Sequence, residues 1–262
     1  MGPPLDDIAF LARSESRLAI LRALEKRARD RRELKTETGI SRSTLGRALG
    51  ELEAHGWIER NGQTYETTTA GGLVLDQFAS LLETLGGIQT LGDGLRYLPV
   101  EEMALDVRHF NDARLVTPTE FDPTEAFQYG IERMHESDTV RSVARTVPPP
   151  YVRAIHEDVT AGELAAEMIL DSAYLDVIKD SDMAGPWRRI AANAEIRRYE
   201  QYIPYRLIIL DDVVHLWLCS DEGEQSGLLE SEDPTVREWA ESVYEEYRIE
   251  TEPLDSATLS EE

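Results

Sequence analysis

Between Arg31 and Glu66 the chain is punctuated twice, and the two breaks leave few folds open. Gly39 follows a short helical run, Arg31 to Thr38, and supplies the residue most tolerant of positive φ at a helix C-terminus. Ser41 then offers an N-cap. Leu45, Leu49 and Leu52 recur at i, i+4 and i+7, which predicts a second helix with one apolar stripe and with Arg42, Ser43, Gly46, Arg47 and Gly50 on its other faces. The second break is Asn61-Gly62, flanked by Trp57 to Arg60 and Gln63 to Glu66, a strong signal for a short hairpin. Upstream, Ile8, Leu11, Ala12, Leu18, Leu21 and Leu24 keep helical spacing, with a break expected at Ser14 to Ser16. The order read is helix, short helix, tight turn, helix, β-hairpin.

Charge divides the chain in the same place. Residues 1–72 carry 12 Lys/Arg against 11 Asp/Glu, whereas the rest carry 15 against 40, for a net charge of −24 overall. So negative a total ordinarily argues against nucleic acid, but the N-terminal third is spared the acid. A nucleic-acid-binding module fused to an acidic partner domain shows such asymmetry. Only Lys26, Lys35 and Lys179 are lysines, and the acid is spread through segments with regular apolar patterning. The composition resembles that of cytoplasmic proteins of extreme halophiles, whose carboxylate-rich surfaces stay hydrated in concentrated salt. No apolar run reaches the roughly 18 to 20 residues that cross a bilayer, and the opening MGPPLDD lacks the basic and apolar regions of a secretory signal. A cytoplasmic protein with no membrane partner is expected. The single cysteine, Cys219, makes neither an intrachain disulfide nor a thiolate cage; it reads as a small buried hydrophobe at a strand end.

Three helices followed by a hairpin form a winged helix-turn-helix. The stretch TGISRSTLGRALGELEAHGWIERNGQTYETTTAGGLVL resembles the DNA-reading half of archaeal winged-helix regulators, over roughly residues 5 to 85. A recognition helix entering the major groove N-terminus first sets Arg42, Ser43, Thr44 and Arg47 against base edges and phosphates, with Arg47 or Arg42 reading guanine. Ser41 and the free N–H groups of the first turn suit a phosphate. In the wing, Arg60, Asn61 and Gln63 either reach the minor groove or the adjacent backbone, or form a solvated turn.

After residue 72, Val74, Phe78, Leu81, Leu85 and Ile88 form one helical row and Leu75, Leu82 and Gln89 an adjacent one. So broad a stripe covers either the head itself or the same helix of a second subunit. The second reading makes Val74, Phe78, Leu81 and Leu85 dimerisation residues. It also makes the partner double-stranded DNA with a palindromic operator, its half-sites about one turn apart. Gly86-Gly87 and Gly92-Asp93-Gly94 suggest a boundary. The division expected is therefore a head, 1–72, a connector helix, 73–95, an acidic domain, 96–250, and a flexible tail, 251–262.

In the acidic domain, strand-like runs (Ala113 to Val116, Val140 to Val147, Leu164 to Leu170) alternate with helical ones (Pro123 to His135, Tyr151 to Asp158, Tyr174 to Ile178, Trp187 to Asn193). A hairpin around Asp211-Asp212 and a helix from Pro234 to Tyr247, started by Asp233, follow. The fold class is α/β overall: an α+β winged head and an α/β second domain. RLVTPTEFDPTEAFQYGIERM, IPYRLIILDDVVHLWLCSDEG and LLESEDPTVREWAESVYEEYR look like the C-terminal domain of archaeal regulators of the methanogenesis-regulator (FilR) type. That resemblance implies a regulatory domain distantly similar to phospholipase D-like sheets, and it supplies no ligand.

Catalysis is not expected. A phospholipase D site needs His-x-Lys, none of the five histidines begins one, and Trp217 stands at the lysine position after His215. His55, His109, His135, His156 and His215 are scattered and read as surface or capped residues, so no metal and no cofactor are expected. An effector pocket is expected near strand ends, where open α/β sheets bind ligands, with Arg145, Thr146, Tyr202, Tyr205 and Arg206 as polar contacts or, alternatively, as ion-paired and packed residues. The function read is an effector-responsive, sequence-specific transcriptional regulator adapted to high salt. A docking scaffold and a vestigial phosphodiesterase stand as alternatives.

Overall fold

The computed structural model describes residues 3–204, 206–219 and 225–254. They fall into two compact units, residues 1–83 and 84–262, and no described helix is long and apolar enough to cross a membrane.

In the first unit, α1 (Pro4–Ala12) and α2 (Glu15–Lys26) separate at Arg13-Ser14, where Ser14 is extended. α3 (Arg31–Thr38) starts on a capping box that the sequence reading missed. The Asp30 carboxylate accepts from Arg32 N and Glu33 N, and Glu33 accepts in return from Asp30 N. It ends where expected, at Gly39, with φ +68°. α4 (Arg42–Ala54) is capped by Ser41, whose Oγ accepts from Thr44 N at 3.3 Å. Leu45, Leu49 and Leu52 are fully buried and share one core with Ile20, Leu21, Leu24 and Leu34. β2 (Ile58–Asn61) and β3 (Thr64–Thr67) pair with Asn61 opposite Thr64. The two loop residues are therefore Gly62-Gln63, one place later than the Asn61-Gly62 turn expected. Gly62, at φ +63°, takes the first loop position, where a two-residue type II′ turn uses glycine. A short strand, β1 (Arg29–Asp30), adds to β3 and gives the order β1-β3-β2. The arrangement is the winged helix-turn-helix that the order of elements predicts.

α5 (Thr69–Leu91) is one 23-residue helix. It begins inside the head expected for residues 1–72, Gly86 and Gly87 continue it instead of interrupting it, and the division between the units falls within it. The start is set by Thr68, whose Oγ1 accepts from Gly71 N and donates to Gly56 O.

The second unit is built on a seven-stranded mixed sheet. Its strands are β4 (Arg114–Val116), β5 (Thr139–Ala144), β6 (Ala165–Asp171), β7 (Glu195–Tyr199), β8 (Arg206–Leu210), β9 (Val213–Cys219) and β10 (Gln225–Ser231), in the order β4-β10-β9-β8-β5-β6-β7. β5, β6 and β7 run parallel and the other pairings are antiparallel. A short α6 (Val100–Met103) precedes β4. One sheet face packs under α7 (Glu125–His135), α8 (Pro149–Ala161), α9 (Ser172–Lys179) and α10 (Ala184–Ala191) around Val152, Leu170, Leu175, Trp187 and Trp217. The other packs under α11 (Pro234–Ile249) around Val143, Ile169, Leu207, Leu216 and Val236. Asp233 caps α11 as expected, accepting from Thr235 N and Val236 N.

β7 and β10 were not expected. β7 is an edge strand whose Arg197 and Arg198 are ion-paired to Glu195, Asp176 and Glu200, so it shows no apolar alternation. β10 is broken in pattern by Gly227 at a register shift. Of the tail expected to be flexible, residues 251–254 are held: Thr251 is buried, Pro253 bridges to Arg197, and Leu254 N donates to Ile196 O at 2.7 Å. Residues 255–262 lie outside the described residues.

A Cβ at Gly71 would stand 1.9 Å from Trp57 O, whereas at Gly72 nothing lies within 4 Å. Gly71→Ala should therefore lower stability by about 1–3 kcal/mol, and Gly72→Ala should leave it level or raise it. Paired thermal melts check this; equal melting temperatures for the two variants would contradict it.

Candidate functional site

α4 turns its polar first turn outward because its opposite stripe is consumed by the core. Ser41, Arg42, Ser43 and Arg47 are exposed and Thr44 is half-buried. Ser41 Oγ also lies 3.1 Å from Ser43 Oγ and donates to Thr44 Oγ1 at 3.0 Å, so the three hydroxyls form one cluster at the helix start. No acidic residue occupies that first turn. The cap and the phosphate contact expected of Ser41 draw on the same end of the helix, where the first N–H groups have no intrahelical partner. The Arg47 side chain is 74% exposed, and its nearest carboxylate is Glu51 at 3.9 Å, a loose pairing that leaves the guanidinium able to turn to an outside acceptor.

In the wing, Arg60, Asn61 and Gln63 are all exposed. Arg60 Nε donates to Gly62 O at 2.9 Å, and its guanidinium lies 5.9 Å from the Tyr65 ring centroid. Arg31, which the sequence reading passed over, donates to the buried Tyr65 hydroxyl at 3.1 Å and lies 5.7 Å from the same ring. Tyr65 thus gathers one cation from the start of α3 and one from the wing. The signal was present in the Arg29-Asp30-Arg31-Arg32 run, which capping and β1 pairing divide between inside and outside: Arg29 is buried and ion-paired to Glu37, while Arg31 and Arg32 are exposed.

The expected dimerisation row splits. Phe78 is buried in the head core and Val74 packs against it, so these two serve their own unit. Leu81 and Leu85 are exposed, together with Leu73, Leu82 and Ile88, which stand on the same helix. A groove of about 480 Å³ between α1 and α5 is lined by Ile8, Leu11, Leu73, Val74, Phe78 and Leu81.

At the strand ends of the second unit, Arg206 Nη2 donates to Thr146 Oγ1 at 2.6 Å, and the Arg145 guanidinium lies 5.3 Å from the ring of the exposed Tyr202. Tyr205 lies outside the described residues. Burial is the largest influence on Arg206 and pushes its guanidinium below the ordinary arginine value; the like charge of Arg145 adds to this, against an opposing contribution from Cys219. Burial likewise raises the Cys219 thiol, against the cations Arg206 and Arg145.

His215 is not the surface or capped residue expected. It is fully buried, and its Nε2–H donates to Glu230 Oε2 at 2.9 Å. Glu230 also accepts from Tyr129 Oη at 2.6 Å and Arg133 Nε at 3.1 Å. Burial alone would raise the Glu230 carboxyl, but the hydrogen bonds from His215 and Tyr129, the His215 charge and Arg133 outweigh it and hold the group at about 2. With its ordinary value at 4.5, the resulting stability is complete above about pH 4.5 and is lost as pH falls toward 2. Glu230→Gln should flatten the acid limb of a stability-versus-pH curve over that window. The same acid sensitivity in both proteins would contradict the role given to this carboxylate.

Residues 5–89 match the family described as the HVO_A0261 N-terminal domain, and residues 123–250 match the middle domain of the methanogenesis regulatory protein FilR1. No curated protein matches the chain. Among solved structures, TrmBL2, described as an archaeal chromatin protein with a novel mode of DNA binding, is similar at 13% identity over 91% of this chain and 92% of that one, with a TM-score of 0.43. Nuc from Salmonella typhimurium, a phospholipase D family member, is similar at 12% identity over 54% of this chain and 97% of its own, with a TM-score of 0.44. NucT from Helicobacter pylori is similar at 14% identity over 54% and 98%, with a TM-score of 0.42.

Proposed function

We propose that this chain, in which an HVO_A0261-type N-terminal domain precedes a FilR1-type middle domain, is a homodimeric, sequence-specific DNA-binding transcriptional regulator whose second unit answers a small effector. The observation that carries the reading is the outer surface of α4. Ser41, Arg42, Ser43 and Arg47 project from a helix fixed by three buried leucines, at a helix start free of acid, in the one third of the chain whose charges balance. Such a surface offers donors to guanine and phosphate oxygens, while the acidic remainder is repelled by them.

The high-salt composition shapes the mechanism. Release of condensed counterions contributes little to binding when the surrounding salt is already concentrated. Affinity then rests on base contacts and fit, and a head of near-zero net charge suffices because it has only to avoid repulsion. The chain acts as a regulator and not as an enzyme in this reading; the burial of His215 against Glu230 supports it, since a nucleophile needs an open face toward its substrate.

Dimerisation uses the outer face of α5. Leu73, Leu81, Leu82, Leu85 and Ile88 form an apolar row wider than an isolated helix leaves to water, and pairing two copies through it presents two copies of α4 to a palindromic site. Coupling to an effector follows if the ligand prefers one of two arrangements of the paired heads.

Arg47→Ala should weaken binding to the preferred duplex by about 1–3 kcal/mol and relax the preference at the contacted base pair. Titration of labelled preferred and scrambled duplexes checks it, and equal losses on both would remove Arg47 from base reading. Leu81→Glu combined with Leu85→Glu should turn the dimer into a monomer in sedimentation velocity while the far-UV spectrum stays the same. A wild-type chain that sediments as a monomer at all concentrations would contradict the proposed assembly.

A further inference from the structure

Two exposed arginines of the head are held by neutral groups around one buried ring. Arg31, at the start of α3, donates through Nε to Tyr65 Oη at 3.1 Å, and Arg60, in β2, donates through Nε to Gly62 O at 2.9 Å. Their guanidinium groups lie 5.7 and 5.9 Å from the Tyr65 ring centroid, so both are measured against the same ring. Strand register sorts the wing by charge. Arg60 is directly opposite Tyr65 and Glu59 directly opposite Glu66, so alternation sets Arg60 on the face of the ring and both acids on the other face. Tyr65 is 2% exposed and belongs to the head core, which fixes the ring.

In both arginines the anchor is Nε, and among the described residues no acceptor engages the terminal nitrogens and no carboxylate pairs with either guanidinium. The charged groups next to Arg31 are spent on other partners. Arg27 pairs with Glu33 at 2.9 Å and Arg29 with Glu37 at 2.7 Å, while Asp30 accepts from Arg32 N and Glu33 N. A chain with 51 Asp/Glu against 27 Lys/Arg has ample acid to pair its arginines, and a neutral anchor in its place keeps the planar end open. Such an end offers parallel N–H donors that match two phosphate oxygens. Anchoring also removes side-chain freedom in advance, so less is lost when the acceptor arrives. Guanidinium groups tied to a core ring cannot follow base edges that change with sequence, whereas phosphates recur regularly along a strand.

We propose that Arg31 and Arg60 form a phosphate clamp that takes the sugar-phosphate backbone of a duplex beside the stretch presented to α4, and that Tyr65 positions Arg31 for it. The clamp rests on the DNA-binding reading above, and it gives the wing a backbone role in place of a minor-groove one. It carries no sequence information. Its task is to fix the register of the head on the duplex while α4 reads bases. Arg31 and Arg60 stand 29 positions apart in the sequence, and only the pairing of β3 with β2 and the packing of α3 bring them to one ring.

The test uses the full chain, a labelled duplex pool of random sequence and the fragment that wild type selects from that pool, over a range of potassium chloride in which the far-UV spectrum stays constant. Arg31→Gln and Arg60→Gln should each lower affinity for the pool and for the selected fragment by the same factor, about tenfold, as loss of a charged hydrogen bond does. Each should also make the dependence of log affinity on log salt shallower by about one. Arg22→Gln removes an exposed arginine of α2 and should leave both quantities unchanged. Tyr65→Phe keeps the ring and releases Arg31; it should weaken binding several-fold, and adding it to Arg31→Gln should cost nothing further. Undiminished binding of the pool by Arg31→Gln, or an equal loss in Arg22→Gln, overturns the clamp. A loss on the selected fragment alone makes Arg31 a base reader and also overturns it. Weaker self-association of Arg31→Gln in sedimentation velocity with DNA affinity unchanged assigns the pair to an acidic protein surface, again against the clamp. A wild-type chain that binds the pool but selects no fragment overturns the sequence-specific reading and leaves the clamp to be decided on the pool; one that binds neither overturns both.

Discussion

The structure depends first on how α4 is held. Leu45, Leu49 and Leu52 reach full burial against α2 and α3, and buried leucines of this kind are worth about 2–5 kcal/mol each when truncated to alanine. Because those three residues fix the helix, its opposite face is free of any packing duty and is available for hydroxyls and guanidinium groups. Gly39 and Ser41 set the angle and the first turn, and the wing closes the unit from the other side. The same segment therefore decides both where the head folds and what it presents.

Two polar groups of the second unit's sheet are treated differently. Glu230 is surrounded by His215, Tyr129 and Arg133, and its carboxylate is held ionised by them. That cluster gives the buried His215 its structural place between β9 and β10. Arg206 donates to Thr146, and burial lowers its guanidinium from the ordinary arginine value. The Glu230 network ties β9 and β10 to α7.

The head was legible almost residue by residue, because its signals are local. A glycine after a short helix, a serine cap, a leucine stripe and an Asn-Gly dipeptide each act within a few residues, and the structure departs from them only by a one-residue shift of the hairpin turn. The second unit was legible where apolar runs alternate with helical ones. β7 and β10 escaped because an edge strand of paired arginines and a strand interrupted by Gly227 carry no apolar period. α5 was visible as an apolar row but its allegiance was not: only packing shows that Val74 and Phe78 turn inward while Leu81 and Leu85 face out. The polar network around His215 depends on how β9, β10 and α7 come together, which joins residues about a hundred positions apart, such as Tyr129 and Glu230, and leaves no trace in local spacing.

In the proposed function a charge-balanced head distinguishes DNA sequences through α4 while the acidic unit stays clear of the duplex. Selection of bound fragments from a random genomic library by the full chain in concentrated potassium salt tests this most directly. Enrichment of one motif arranged as two half-sites about one helical turn apart is expected. Recovered fragments that match the input library in sequence would contradict it.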